Sequence, residues 1–555
     1  MYDSGSLLEE TLRSCYAAIF NSQSATGKKQ TEQMDSRSDD RGLEVESLTL
    51  ATVCSKTYAF VGAERTSTIF IFDITDPLNV TLQSHIPAGG NTDMTPAVAF
   101  AKEPQPRPNV DLGQIAPEMM SFDKERRLLI VSGAVSGTLG VYKVLGLPEC
   151  VELELTDNMK LPVAYAGDVF GGAQTFELDA NVGEKNAIMD NLVFVVGETS
   201  LLQVIDTAKH HMAASTIVDM AHIGAPGTDV TTCKTWNERL VAVATVGSGG
   251  KQDPGRVLLY TVSAQGKLTF KRTFLTAEGR LPDQIQWTKD CRTIIAACEG
   301  EAVPSGTSLV NPEGGIAVLK FRAAPLNVAD DAAAAFTFHD FKSASFNVND
   351  AALKARLLNE GVRWSLRPET KTAGFQEGNP LNVEIPDSET TFSKDLEPEY
   401  LALSADGKTV YVSMQEACAV AIFDLEALEF KDIKPLQTKS WLSTNAGLDA
   451  SNKDDGINMQ KWDIRGMLMP DTIHVYTAAD GIEYLVTANE GDDKEYIWGN
   501  EESVWTEMTR GKDLDPTKVQ SVIGASAADI ADQTQLGRIK IGTFDGACAF
   551  LRSRL

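Results

Sequence analysis

A 555-residue chain that is 43% hydrophobic has ample material for a core, and its composition is not that of a disordered protein. Lys and Arg number 50 against 77 Asp and Glu, and the formal charge of −27 argues against a nucleic-acid partner and for divalent cations or basic surfaces. No apolar run reaches the ~20 residues of a membrane-spanning helix, and eight scattered cysteines with no C-x-x-C pair argue against a zinc knuckle or a dense disulfide framework.

At the start, MYDSGSLLEETLRSC has neither a basic opening nor an apolar stretch, so no signal peptide is visible. Residues 6–20 carry helical spacing, and 21–42 read as a polar loop. TYAFVGAERTSTIFIFDITDP (57–77) holds two strands around a turn, followed by a single Asn-x-Thr sequon at Asn79. After a polar stretch at 100–112 comes PEMMSFDKERRLLIVSG (117–133), a Pro-acid opening and two strands, then a third strand, GTLGVYKV (137–144). NLVFVVGETSLLQVID (191–206) repeats the shape, as do RLVAVATVG and RVLLYTV (239–262) around a Gly-rich insertion. The Pro-acid grammar returns in PDQIQWTKDCRTIIAACE (282–299) with GGIAVLKF (314–321), and in PEYLALSADGKTVYVSMQE (398–416) with CAVAIFDL (418–425). It appears a last time in PDTIHVYTAADGIEYLVTANE (470–490), where Asp-Gly supplies the hairpin turn. Between these units, 350–361 predicts a short helix ended by Gly361, 366–394 a long loop, and 491–535 an acidic, Gly-rich insertion. Seven units of roughly 40 to 70 residues predict an all-β fold, a β-propeller of seven four-stranded antiparallel blades with long inserted loops, as one domain over 1–555. A β-sandwich would not repeat one unit so regularly.

The chemistry suggested by this pattern lies at the end of the second strand of each unit. Glu64, Glu198, Glu299, Glu416 and Glu490 all follow a short β run, so rotation about the axis should gather them into a partial ring. Like charges that close raise each other's pKa unless a cation neutralises them, and hard oxygen ligands select calcium or magnesium over zinc. An ordinary solvated acidic rim is the plainer alternative. Acidic loops accompany these ends: EGE (299–301), DLEPE (395–399), NEGDD (489–493, with Asp492 a further metal candidate) and DASNKDDG (449–456), which lacks EF-hand spacing. Arg37, Arg41 and Arg65 are placed to hold an anion such as phosphate, with Arg37 and Arg65 the main candidates; a salt-bridge cluster is the alternative. There is no G-x-S-x-G elbow, P-loop or H-E-x-x-H, and no histidine stands out as a general base.

PEYLALSADGKTVYVSMQEACAVAIFDLE, GLDASNKDDGIN, YLVTANEGDDKEY and LGRIKI together resemble the choice-of-anchor I family of surface propellers, which includes mesenchyme-specific cell-surface glycoproteins and bacterial proteins labelled alkaline phosphatases. Residues 151–545 resemble the N-terminal and central parts of the family domain, and 1–146 its C-terminal part, so the segments stand in circularly permuted order. The family's Asn-Glu after one strand is replaced here by Gly133-Ala134, and the final CAFLRSRL departs from its closing strand. The resemblance implies an extracellular or cell-surface protein that associates with calcium and presents an acidic face to mineral or glycan. It also implies an alternative, a calcium-dependent phosphomonoesterase of alkaline phosphatase type, with a phosphate ester as ligand and Arg37 or Arg65 on the developing charge.

Overall fold

The computed structural model describes residues 2–102, 111–146, 151–166, 172–209, 211–217, 226–322, 331, 333–376, 378–443, 447–514, 525–543 and 550–552. The repeating units fold as seven antiparallel sheets around one axis. Blade 1 comprises Val45–Val53, Lys56–Ala63, Thr68–Asp73 and Thr81–Pro87; blade 2 comprises Pro117–Asp123, Leu128–Gly133, Thr138–Leu145 and Glu152–Lys160. Blade 3 is Lys185–Met189, Leu192–Val196, Leu201–Asp206 and His211–Ile217, and blade 4 is Gly227–Lys234, Arg239–Thr245, Pro254–Val262 and Leu268–Arg280. Blade 5 is Pro282–Trp287, Thr293–Cys298, Gly315–Lys320 and Phe336–Asp340, and blade 6 is Leu401–Leu403, Thr409–Met414, Ala419–Asp424 and Glu429–Pro435. Among the described residues, blade 7 has two strands, Pro470–Thr477 and Glu483–Asn489.

The expectation of seven four-stranded blades is therefore corrected at the last one. Beyond Asn489 the chain turns at Gly491 (φ +91°) and does not return along the hairpin. It enters a separate three-stranded sheet of Phe375–Gln376, Glu495–Trp498 and Ser503–Thr506. The long loop 366–394 and the insertion 491–535 thus share a small substructure, with Trp505 and Trp498 at its core.

The first strand of each blade neighbours the first strand of the next, and that of blade 7 returns to that of blade 1. Second strands carry the core because both of their faces are covered. LVFVV of blade 3 and TIIAAC of blade 5 are buried at every position, as the β-branched and apolar runs demand. Apolar layers fill the spaces between adjacent blades; Phe274, Trp287 and Phe321 lie between blades 4 and 5, and Phe60 and Phe122 stack between blades 1 and 2. Cys233, on the first strand of blade 4, is disulfide-bonded to Cys291, in the first turn of blade 5, so a covalent staple joins neighbouring blades.

The helix expected at 350–361 runs Ala351–Glu360. The Asp350 side chain accepts hydrogen bonds from the backbone N–H groups of Ala352 (3.0 Å) and Leu353 (3.3 Å), and Gly361 ends the helix at φ +112°. The helix expected at 6–20 stops at Cys15, and Leu8 and Leu12 bury its apolar face against blade 1.

Candidate functional site: an acidic hub

Where the first strand begins in five of the blades, the ladder slips by one residue. The register skips Glu46 in blade 1, Glu118 in blade 2, Thr228 in blade 4, Asp283 in blade 5 and Asp471 in blade 7. A bulge leaves its extra residue unpaired and re-aims the side chain, here towards the hub. Lys185 opens the first strand of blade 3 at the corresponding position, and Glu399 just precedes the short first strand of blade 6. Around the axis the chain thus sets five carboxylates, one ammonium and one hydroxyl.

Between blades 1 and 2 these side chains converge. One carboxylate oxygen each from Glu46, Glu64 and Glu118 lies within 4.8 Å of the others, the closest set of this kind among the described residues. Oε2 of Glu46 is buried and accepts no hydrogen bond. Arg65 donates to Glu64 Oε1 at 2.7 Å, and the Lys185 ammonium stands 3.9 Å from Glu118. Burial, then Glu118 and Glu64, pushes the Glu46 carboxyl well above the usual range. Burial pushes Glu64 up as well, against the opposing effect of Arg65. Lys185 is held well above an ordinary lysine: burial works to lower it, but the carboxylates of Glu118, Asp471, Asp283 and Glu46 prevail.

On the other side of the hub lies a cavity of about 470 Å³. Eleven of its lining residues are carboxylic, and three are basic: Arg41, Lys494 and Lys540. The loops EGE, DLEPE and NEGDD supply much of this wall, whereas DASNKDDG does not reach it. All three cations are paired with carboxylates, Lys540 with Asp493 at 3.5 Å and Asp40 at 3.6 Å. Arg41 donates to Glu490 at 2.5 Å and to Asp492 at 2.7 Å, and Gln415 donates to the other Glu490 oxygen at 3.1 Å. The Lys494 ammonium, 3% exposed, lies 2.5 Å from Glu397 and 3.6 Å from Asp395. Burial and the Asp492 charge raise Glu490 to about 7, with Arg41 opposing. Burial raises Glu397 to about 7 despite Lys494, and Asp471 to about 6 despite Lys185. Burial, reinforced by their carboxylate neighbours, holds Glu299 and Glu399 well above the usual range, and burial does the same for Glu416 against Lys494.

Of the residues named from sequence, Glu299, Glu416, Glu490 and Asp492 meet at this one cavity. Glu64 belongs to the neighbouring trio instead. Glu198 is exposed, and its charge adds to the burial and the Glu118 charge that raise Glu184 to about 8. Arg37 and Arg65 both donate to the fully buried Glu44 carboxylate, Arg65 at 2.7 Å, and Arg37 also pairs with Asp40 at 3.2 Å. Against the effect of burial, Arg41, Arg65 and Arg37 keep Glu44 below the usual range. The hub residues Glu46, Glu118, Asp283 and Asp471 were not singled out by the strand-end pattern. Glu118, Asp283 and Asp471, with Glu399, carry a signal of another kind, the acid that follows Pro117, Pro282, Pro470 and Pro398 at the opening of four units, whereas Glu46 follows Val45 and lacks it.

Gigasin-3a of Magallana gigas is 33% identical over 148 residues, 26% of this chain and 52% of that protein. The mesenchyme-specific cell surface glycoprotein of Strongylocentrotus purpuratus is 41% identical over 102 residues, 18% of this chain and 13% of that protein. The chain thus spans about half of the first relative and a smaller share of the second. Among solved structures, Kuenenia stuttgartiensis hydrazine synthase superposes with a TM-score of 0.41 at 10% identity, over 80% of this chain and 96% of that one. The WD40 repeats of RRP9 superpose with a TM-score of 0.40 at 11% identity, over 84% and 94% respectively. The choice-of-anchor I domain matches residues 1–77 and 185–553, a span that takes in the first three strands of blade 1 and all of blades 3 to 7, and on that match the chain belongs to the choice-of-anchor I family.

Proposed function

We propose that the protein is a non-catalytic, calcium-associating surface propeller that works by coordinating cations at its hub and presenting an acidic face to mineral, glycan or a neighbouring surface. The carrying observation is the convergence of Glu46, Glu64 and Glu118 within 4.8 Å, with Oε2 of Glu46 buried and unsatisfied. Such an oxygen costs about 1–3 kcal/mol until a donor or cation reaches it. Calcium takes six to eight oxygen ligands at about 2.3–2.6 Å, so three carboxylates would supply the charge and water the remaining places. Arg65 and Lys185 at the edge of the trio temper its repulsion without filling it. The Cys233–Cys291 staple supports an oxidising, extracellular setting. Among the described residues, no helix is long and apolar enough to cross a membrane.

Titrating calcium into chelator-stripped protein in a calorimeter tests the reading. Saturable binding that falls at least tenfold in a Glu46→Gln, Glu118→Gln double variant is the expected result. An unchanged isotherm in that variant overturns the assignment to the trio.

One observation favours a second reading, a calcium-dependent phosphomonoesterase: Arg41 stands in the cavity beside Glu490 and Asp492, with Lys494 and Tyr496 on the same wall. In that case Arg41 would steady the charge that develops on a phosphate ester. Its donors are directed at carboxylates, and acids far outnumber bases around it, which supports binding ahead of hydrolysis. Turnover of 4-nitrophenyl phosphate that needs calcium and vanishes in Arg41→Gln would reverse that order.

A further inference from the structure

The carboxylates around the hub fall into groups, and two of these groups are directly ion-paired. Glu490 and Asp492 are met by the Arg41 guanidinium, and Asp395 and Glu397 by the Lys494 ammonium. Glu46, Glu64 and Glu118 converge to the spacing of a metal site. The fourth group is Asp283 and Glu399, from the first-strand openings of blades 5 and 6, with Glu299 and Glu416, from the ends of the second strands of the same blades. Its plan is close to that of the trio, but Gln415 takes the place in blade 6 that Glu64 has in blade 1, and Glu416 lies one residue further on.

Two features bear on what this group can hold. Glu399 is 8% exposed, and its Oε2 has no hydrogen-bond partner, although it lines the 470 Å³ cavity. The group is also more open than the trio. The first strand of blade 6 is only Leu401–Leu403, so Glu399 lies on the loop before it, and no three of these oxygens come within 4.8 Å of one another. That spacing is too wide for a bare ion to be ligated directly by all of them. The protein's own solutions beside it, Lys494 and Arg41, are nitrogen cations that reach carboxylates through N–H donors.

We propose that Asp283, Glu299, Glu399 and Glu416 form a receptor for a primary ammonium group carried on a flexible alkyl chain, either a lysine side chain of a partner or a free polyamine. An ammonium has three diverging N–H donors, which suits acceptors spread around it better than acceptors packed on one point. The volume of the cavity leaves room for the methylene chain behind the head. The proposal is separate from the calcium reading, since it uses a different set of acids.

Calorimetry on the full chain at 150 mM NaCl, with calcium already saturating, tests it with three probes: spermidine, N-acetyl-lysine amide and tetramethylammonium. Spermidine is expected to bind at a single site and tetramethylammonium, which has no N–H, is not. Loss of one charged acceptor in Glu399→Gln is expected to weaken spermidine about tenfold or more, and Glu416→Gln, on the open wall, to act likewise. Glu46→Gln is expected to leave the amine isotherm unchanged while weakening calcium, which separates failure of this proposal from failure of the calcium reading. Binding of the lysine amide at the same site assigns a protein side chain as ligand, and binding of spermidine alone assigns a free polyamine. No amine binding, equal binding of tetramethylammonium, or amine binding indifferent to both Glu399→Gln and Glu416→Gln overturns it.

Discussion

Asp229, next to the hub residue Thr228, offers a direct measure of what burying a carboxyl there costs the folded chain. It sits on the first strand of blade 4, 2% exposed, and its Oδ2 accepts the Ile285 backbone N–H at 2.8 Å. Burial raises its pKa from 3.8 to about 7, while the backbone donors of Ile285 and Val230 and the Lys185 charge pull the other way. A carboxyl whose folded pKa exceeds its unfolded one binds protons more tightly in the native state. Its stabilising proton is fully in place below 3.8 and is lost as pH rises to about 7. At about 1.4 kcal/mol for each pH unit, that rise amounts to roughly 4 kcal/mol of stability surrendered by pH 8. In Asp229→Asn the amide oxygen still accepts from Ile285, but nothing ionises. Urea unfolding in the presence of a chelator, from pH 4 to pH 8, should therefore show the variant losing up to roughly 4 kcal/mol less than the parent. Parallel curves for the two proteins would refute the argument that desolvation governs this carboxyl.

Calcium should offset the alkaline loss, because the raised carboxyls of Glu46 and Glu64 exchange protons for the ion; its apparent affinity should climb between pH 5 and pH 8 in calorimetry. Replacing Cys233 and Cys291 by serine opens a loop of 58 residues and should cost about 4 kcal/mol, read as a lower urea midpoint and reproduced by reductant on the parent. A parent indifferent to reductant would count against the staple. Lys494→Met strands Glu397 and Asp395, 4% and 2% exposed, and should destabilise by about 3–5 kcal/mol at pH 8. The loss should shrink near pH 5, where Glu397 is protonated, and a pH-independent loss would point to packing instead.

The fold was legible because its signals are local. Alternating strands, Asp-Gly turns and the Asp350-to-Gly361 helix can each be read within a dozen residues, and each folds as its pattern requires. The missing half of blade 7 was not legible, since nothing local says that the chain after Asn489 forms a sheet in which Ser503–Thr506 pairs with Phe375–Gln376, over a hundred residues earlier, and does not return along its own hairpin. The site was half legible. Strand-end acids mark Glu299, Glu416 and Glu490 for the cavity, but Glu198 has the same signal and faces solvent, because exposure depends on the loops that cover a blade end. The bulge acids were hidden for another reason: Glu46 and Thr228 break the Pro-acid pattern, so the positions match in space while the letters differ. Lys185 could be found only once the register around the axis was known.

Lys185 has a consequence for the life of the chain before it meets its ligands. A hub of bare carboxylates would oppose the approach of its blades by mutual repulsion. Here the third blade brings a cation of its own to the centre, beside Glu118 and within the field of Asp471, Asp283 and Glu46. On the proposed calcium reading, the ring thus holds a charge partner of its own at the centre before any ion arrives.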